Sequence, residues 1–462
     1  MDIMGALVRN LTEVTFQDLS SEAVSASKRS IMDTLGAVIA GSSVDGCQKL
    51  AVYLKSWGGL QESTVAVFGE KVPSFFAAQA NGAMARALEL DDVSDEFVLH
   101  PSVSVVPATL AAAERKGNVS GKQLITAVAL GQDLMFRMAA SVKQSPIDSG
   151  RYNLFRVFAA AGAAGKVLGL SESELRNGMG IAYSQLSGEG QSARDGAMAH
   201  YVQSGTVAKS AIEAVLLAQT GITGPSSALQ GPSGFYTAIE PDHDLEPLIS
   251  NLGKVFRGTE ICVKPYPSCR LTHESIDLAL EFRQNEDLDY RSIEQIIVRV
   301  NDQCFNLVCH PVESKRRPQT FIDAQFSLPY TVAAAVVKGD VFIHELSEQA
   351  IRDQDTLSLA QRIVPIYDKA CQNDFSVGAT MMEVRNYDGK VFRKECQFPS
   401  GNPKKPLSLS SYVGKFTKCV EFSKRPFAEK QVENMIEVLS SLEEIDDVAQ
   451  VTELLCPVQS DD

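Results

Sequence analysis

From about Leu19 to Gly224 the chain repeats one theme, an apolar run at helical spacing with many Ala and Gly, then a short polar break. Val24, Ile31, Leu35 and Val38 recur at intervals of seven, four and three residues, which puts them on one stripe of a helix. Ser20 or Ser21 can cap that helix by accepting from its first free backbone N–H groups. Phe75 to Leu88, Pro107 to Arg115, Lys122 to Met138 and Phe158 to Leu168 repeat the pattern. Small residues let helix axes approach closely, so the spacing predicts a tight bundle.

After Gly253 the character changes. Ile293 to Val300 has the length and the Ile and Val content of a strand, and Thr380 to Cys396 has two alternating arms about Asn386-Tyr-Asp-Gly389, a hairpin turn. Asp323 to Tyr330 opens a helix running to about Lys338, and Gly401 to Pro406 reads as a linker. Glu429 to Leu442 and Val448 to Leu455 return to amphipathic helix. The expected architecture is mainly α: a large all-helical domain built from both chain ends, residues 1–262 and 407–462, with an inserted α+β lid domain, residues 263–406. There is no internal repeat and no low-complexity tract.

Composition narrows the function. With 462 residues and 44% hydrophobic content the chain can bury a large core, and its length suggests two or three domains. A net charge of -14 argues against a general nucleic-acid or anionic-membrane surface, so a bound anion must be met by a local basic pocket. The segment MDIMGALVRN lacks the pattern of a secretory signal, and no run approaches the roughly 20 apolar residues of a membrane span. The expected compartment is the cytoplasm, or an organelle matrix after processing. Nine scattered cysteines without a CxxC pair fit reduced thiols. The spacings Cys262 to Cys269 and Cys304 to Cys309 do not resemble a zinc knuckle, so no metal is expected.

The polar break from Ala87 to Pro107 is the densest, setting Glu89, Asp91, Asp92, Asp95, Glu96 and His100 between two helical runs. Histidine is the side chain best matched to proton transfer near neutral pH, which singles out His100; the same residue also fits a helix cap. The pair Asp91-Asp92 fits either a site or a solvated face. Far downstream, Lys264-Pro-Tyr-Pro-Ser-Cys-Arg270-Leu-Thr-His273 offers cations on a loop whose prolines fix the backbone. An arginine fork suits a carboxylate, whereas lysine acts as a point charge or, when desolvated, a proton shuttle; the same loop also fits a domain connection with solvated cations. His273 stands at the start of a helix, Glu274 to Phe282, as a ligand donor or a cap. His200, in Gly196 to Gly205, precedes a helical run to Gln219 and reads either as a proton carrier or as structural. Arg151 and Tyr152 are further substrate-binding candidates, while His243, His310 and His344 have no supporting neighbours. The acidic segment and the cationic loop, folded to face one cleft, would make an acid/base centre for a small carboxylate.

The ordered set ALELDDVSDEFVLHPS, KVLGLSE, GITGP, KPYPSCRLTH and DAQFSLPY resembles the MmgE/PrpD family across nearly the whole chain. The resemblance implies a helical domain with an α+β lid, a homodimer, no metal and no organic cofactor. Its members include 2-methylcitrate dehydratases, cis-aconitate decarboxylases and an iminodisuccinate epimerase. Carried over by motif, the acidic segment falls on Asp91 and Asp92, the HPS histidine on His100, and the loop cations on Lys264 and Arg270, with His273 following. The decarboxylase pattern has Asp at Glu89, Thr at Val93, His near Arg151 or Tyr152, Lys at His200, and a lid tyrosine near Phe305. Those departures disfavour decarboxylation and keep the reaction class broader, with dehydration favoured as the commoner activity of the family.

The mechanism implied is proton transfer at a carbon next to a carboxylate, where neighbouring cations stabilise the developing charge. Lys264 and Arg270 would hold carboxylates, His100 and His200 would move protons on opposite faces of the carbon, and Asp91 or Asp92 would orient His100. Glu89, Arg151, Tyr152 and His273 would complete substrate binding. A β-hydroxyl leads to dehydration of a 2-methylcitrate-like substrate, the expected reaction. Without a leaving group the same bases would epimerise a dicarboxylate, and a non-catalytic binding protein is a further alternative.

Overall fold

The computed structural model describes residues 1–144, 149–285, 289–373 and 377–458. These pack as two compact units, drawn from residues 1–87, 99–261 and 408–458 in the first and from residues 88–98 and 262–407 in the second. The acidic segment therefore divides: residues 88–98 go with the second unit and His100 with the first.

The first unit is helical, as the small-residue periodicity predicts. Its main elements are α1 (Ile3–Glu13), α2 (Ser21–Gly41), α3 (Asp45–Ser56), a two-residue hairpin of β1 (Ser63–Thr64) and β2 (Lys71–Val72), α4 (Ser74–Arg86), α5 (Ser102–Lys116), α6 (Gly121–Ser141), α7 (Arg156–Leu168), α8 (Glu172–Tyr183) and α9 (Ala199–Gln219). Ser20 caps α2 by accepting from the Ala23 N–H, and Ile31, Leu35 and Val38 are buried. Helix α5 begins at Ser102 and carries Pro107 inside it, where the sequence reading starts the helix at Pro107. Residues 102–113 are all buried, and packing on every side outweighs one lost backbone hydrogen bond.

Helices α4 and α9 cross where both are glycine. A Cβ on Gly82 would stand 2.9 Å from the Gly205 Cα, and a Cβ on Gly205 would overlap the Gln79 carbonyl oxygen. The crossing is thus backbone on backbone. It brings Arg86, one turn beyond Gly82, toward the N-terminal turns of α9.

In the second unit, α10 (His273–Asn285) packs on a four-stranded sheet and on α11 (Leu328–Lys338), which packs in turn on α12 (Gln354–Gln361). The sheet order is β4 (Ile363–Tyr367), β3 (Ile293–Val300), β5 (Thr380–Asn386) and β6 (Val391–Cys396). Strand β3 runs parallel to β4 and antiparallel to β5, and β5 and β6 form the hairpin expected at Asn386 to Gly389. Gly389 has φ +86°, the conformation that glycine adopts most readily. Ile293, Ile296, Val298 and Val300 are buried in the core of this unit.

The stretch 401–406 is more than a tether. Gly401 pairs with Val263 through backbone hydrogen bonding, and Asn402 is buried. Past it the chain re-enters the first unit as α13 (Leu409–Glu421) and α14 (Glu429–Ser440). Helix α13, which the periodicity reading passes over, lies on α2, where the Lys415 Nζ meets Asp33 Oδ1 at 2.6 Å in a buried pair.

Gly205→Ala is expected to destabilise the protein by about 1–3 kcal/mol, the usual cost of overpacking a tight core. A urea midpoint unchanged from wild type would show that α4 and α9 can separate freely.

Candidate functional site

The sequence candidates gather into one cluster in each unit. In the second unit, residues 88–98 have no regular helix and are held by an antiparallel bridge, Val93 with Cys262, and by charge. Glu89 adopts φ +55°, a left-handed conformation that costs a non-glycine residue free energy and persists only when its surroundings enforce it. The enforcing contact is ionic: the Lys264 Nζ stands 2.7 Å from Glu89 Oε2 and 4.0 Å from Asp91 Oδ1. Lys264 is 1% exposed, and Asp91 and Asp92 are each 0% exposed, so neither a solvated acidic face nor a solvated loop cation describes them.

Arg270 is turned onto the same segment. Its Nε donates to Asp95 Oδ1 at 2.7 Å and its Nη2 to Asp95 Oδ2 at 2.8 Å, a bidentate pair. Nη1 donates to the Ser400 carbonyl at 2.9 Å and lies 3.4 Å from His273 Nδ1. Asn402 also donates to Asp95 Oδ2, at 2.8 Å. Burial by itself would raise the Asp95 carboxyl, but the Arg270 charge and these hydrogen bonds outweigh it and hold the group below the usual carboxylate range. The fork assigned from sequence to a substrate carboxylate thus braces the chain's own Asp95. His273, fully buried, sits between Arg270 and the Ser268 carbonyl, 3.2 Å from its Nε2. Beside it, Glu274 accepts from Thr380 Oγ1 at 2.8 Å, and burial pushes its carboxyl up to about 8.

In the first unit, His100 is 9% exposed and faces Tyr152, with ring centroids 6.2 Å apart. On the Tyr152 ring lies the Arg156 guanidinium, 4.8 Å from the centroid. Arg156 Nη1 donates to Ser204 Oγ at 3.3 Å. Ser204 stands one turn after His200 on α9, and His200 Nε2 lies 3.0 Å from Arg86 Nη2. Because a guanidinium only donates, Nε2 accepts and the proton of the neutral ring belongs to Nδ1. Arg151 points elsewhere: it donates to the Ile239 carbonyl and to Gln144, and lies 3.4 Å from Glu240 Oε2.

Arg86 and Arg156 escape the sequence reading. The signal is present in MARALEL and LFRVFAAAG, where a lone arginine interrupts an apolar, small-residue run that the helix must bury. Among the described residues, no group of three or more His, Cys, Asp and Glu side chains is arranged to hold a metal ion, and no helix is long and apolar enough to cross a membrane.

Comparison with known proteins bears on both units. Residues 5–248 match the family model described as the MmgE/PrpD N-terminal domain, and residues 266–443 match the MmgE/PrpD C-terminal domain. A cis-aconitate decarboxylase of Aspergillus terreus (strain NIH 2624 / FGSC A1156) is 26% identical, over 96% of this chain and 94% of its own length. The cis-aconitate decarboxylase of Homo sapiens is 26% identical over 95% of this chain and 91% of its own, and that of Mus musculus is 25% identical over 93% and 88%.

Two acids here have opposite pH signatures. Asp95→Asn should cost about 3–5 kcal/mol near neutral pH by leaving a buried guanidinium without its counter-charge. Because its folded pKa is depressed, the Asp95 contribution is present above the ordinary carboxylate pKa, about 3.9, and is lost as pH falls through the folded value. Denaturation midpoints of wild type and Asp95→Asn should converge in acid; a constant gap would count against the ion pair. Glu274, raised instead, makes the fold less stable as pH climbs from the ordinary glutamate value of 4.5 toward about 8. Glu274→Gln should flatten that decline in thermal melts taken across this range, and an unaltered slope would place its origin elsewhere.

Proposed function

The chain belongs to the MmgE/PrpD family, and from that premise we propose that it is a lyase acting on a small di- or tricarboxylate by proton transfer at a carbon next to a carboxylate. The observation that carries the reading is the first-unit pairing of a buried arginine, Arg86, with an imidazole, His200, in the unit that also buries His100. Loss of a proton beside a carboxylate leaves extra negative charge on the substrate, and a fixed cation in a water-poor setting stabilises it strongly because the dipoles around it need no reorganisation. An imidazole released from such a cation, as His200 would be once the Arg86 guanidinium turns to the substrate carboxylate, can take or return the proton at neutral pH.

In this reading one imidazole removes the proton from carbon and the other protonates the departing β-hydroxyl. The carbon–oxygen bond breaks, water leaves and a double bond forms. A 2-methylcitrate-like tricarboxylate is the favoured substrate. The motif departures at Glu89, Val93, Arg151 or Tyr152, His200 and Phe305 count against the decarboxylation named for the relatives, and dehydration is favoured as the commoner activity of the family. Lys264 is retained as a candidate cation for a substrate carboxylate, with Glu89 its resident partner. Decarboxylation of cis-aconitate is the second reading, favoured by the relatives' names. There the bond to a carboxyl group breaks, carbon dioxide leaves, and an imidazole delivers a proton to the same carbon. Epimerisation of an iminodisuccinate-like dicarboxylate is a third, in which the two imidazoles exchange the proton between faces.

The purified protein, incubated in D₂O with 2-methylcitrate, citrate, cis-aconitate and simple dicarboxylates, should yield an alkene by loss of water and place solvent deuterium on carbon. Carbon dioxide from cis-aconitate would transfer the assignment to the second reading, and inertness toward the whole panel would end the lyase reading. His100→Gln should lower turnover by about 10²–10⁴-fold, the usual value of a positioned acid or base, with the thermal midpoint unchanged.

A further inference from the structure

Arg156 is the first residue of α7 and is 0% exposed. Among the described residues its Nε and Nη2 have no hydrogen-bond acceptor, and its only side-chain hydrogen bond is the one from Nη1 to Ser204 Oγ. A buried guanidinium ordinarily has a carboxylate against it, as Arg270 has Asp95 and Arg137 has Asp133 at 2.6 Å in this same chain. The charge that acts on Arg156 is instead that of another cation, Arg86. Burial pulls its pKa down to about 10; Tyr152 opposes the fall and the Arg86 charge adds to it. The backbone comes close to the fork where residue 188 is glycine. A Cβ on Gly188 would stand 3.2 Å from Nη2, and Gly188 has φ +153°, which disfavours any other residue there.

We propose that Arg156 is an anion-binding residue, the fork that grips one carboxylate of the substrate through Nε and Nη2. The inference rests on the lyase reading for the identity of the anion but not for its existence. Two N–H donors on one edge of a planar guanidinium match the two oxygens of a carboxylate, and a bound anion would cancel the repulsion from Arg86. Ser204 fixes the opposite side of the fork, and the Tyr152 ring covers its face. Arg156 thereby favours substrates that carry a carboxylate beyond the one at the reacting carbon.

The test compares wild type, Arg156→Gln and Arg156→Lys in thermal melts, alone and with tricarballylate or sulfate, and in kinetics on any substrate turned over. Arg156→Gln should raise the melting temperature of the ligand-free protein, because an uncompensated buried charge is gone, and should abolish the rise that tricarballylate gives wild type. Its KM should increase by about tenfold or more with a smaller change in kcat, as expected for a lost charge-assisted contact, and Arg156→Lys should recover part of the binding. A ligand-free Arg156→Gln that is less stable than wild type or fails to fold overturns the proposal, as does a tricarballylate shift that survives the substitution or is absent from wild type. If wild type turns over carboxylates and Arg156→Gln keeps its KM, Arg156 loses its role while the lyase reading stands. If wild type turns over nothing yet shows an Arg156-dependent shift, the anion site stands and the lyase reading fails.

Discussion

The backbone contact between Gly82 of α4 and Gly205 of α9 leaves no room for side chains at the crossing, and the first unit's charged groups are arranged around it. Arg86 lies one turn past Gly82, while Ser204 and His200 lead into Gly205 along α9. Helices that close exclude water, and exclusion of water is what gives a cation beside an imidazole enough field to stabilise charge on a substrate. A larger residue at either position would separate the helices and weaken every interaction that depends on a low local dielectric.

The second unit meets a different problem with charge. Residues 88–98 form no helix, so their conformation must be enforced from outside. Lys264 against Glu89, Arg270 against Asp95, and the bridge from Val93 to Cys262 supply the force. Buried pairs of this kind add modest net stability because desolvation offsets much of the attraction, but removing one partner is costly. They are therefore effective at fixing one conformation, including the left-handed backbone at Glu89. In the first unit Arg156 breaks the pattern, a buried guanidinium with no acid assigned to it.

Most elements could be read from the chain. Strand Ile293–Val300, the hairpin at Asn386 to Gly389 and the capped helix Ser21–Gly41 all follow from local periodicity and turn chemistry. Helix α5 starts five residues before Pro107, against the tendency of proline to break a helix, because burial overrides it. Helix α13 is announced in the sequence only by its cap, Ser408. At the site, the acidic segment and the Lys264 loop were legible as dense polar stretches. Arg86 and Arg156 were not, since a single arginine in an apolar run looks like a surface residue until the helix is known to be buried on all sides.

What the sequence determined by itself was the kind and order of the elements, because periods of 3.6 and 2 are local properties that neighbouring residues express without help. Which charge meets which was decided only by the tertiary structure. Lys264 and Glu89 are 175 positions apart, as are Arg270 and Asp95, and nothing local distinguishes an arginine that will brace an aspartate from one that will be buried with no acid beside it. The physical reason is that an ion pair forms according to distance and dielectric, and both are properties of the packed molecule.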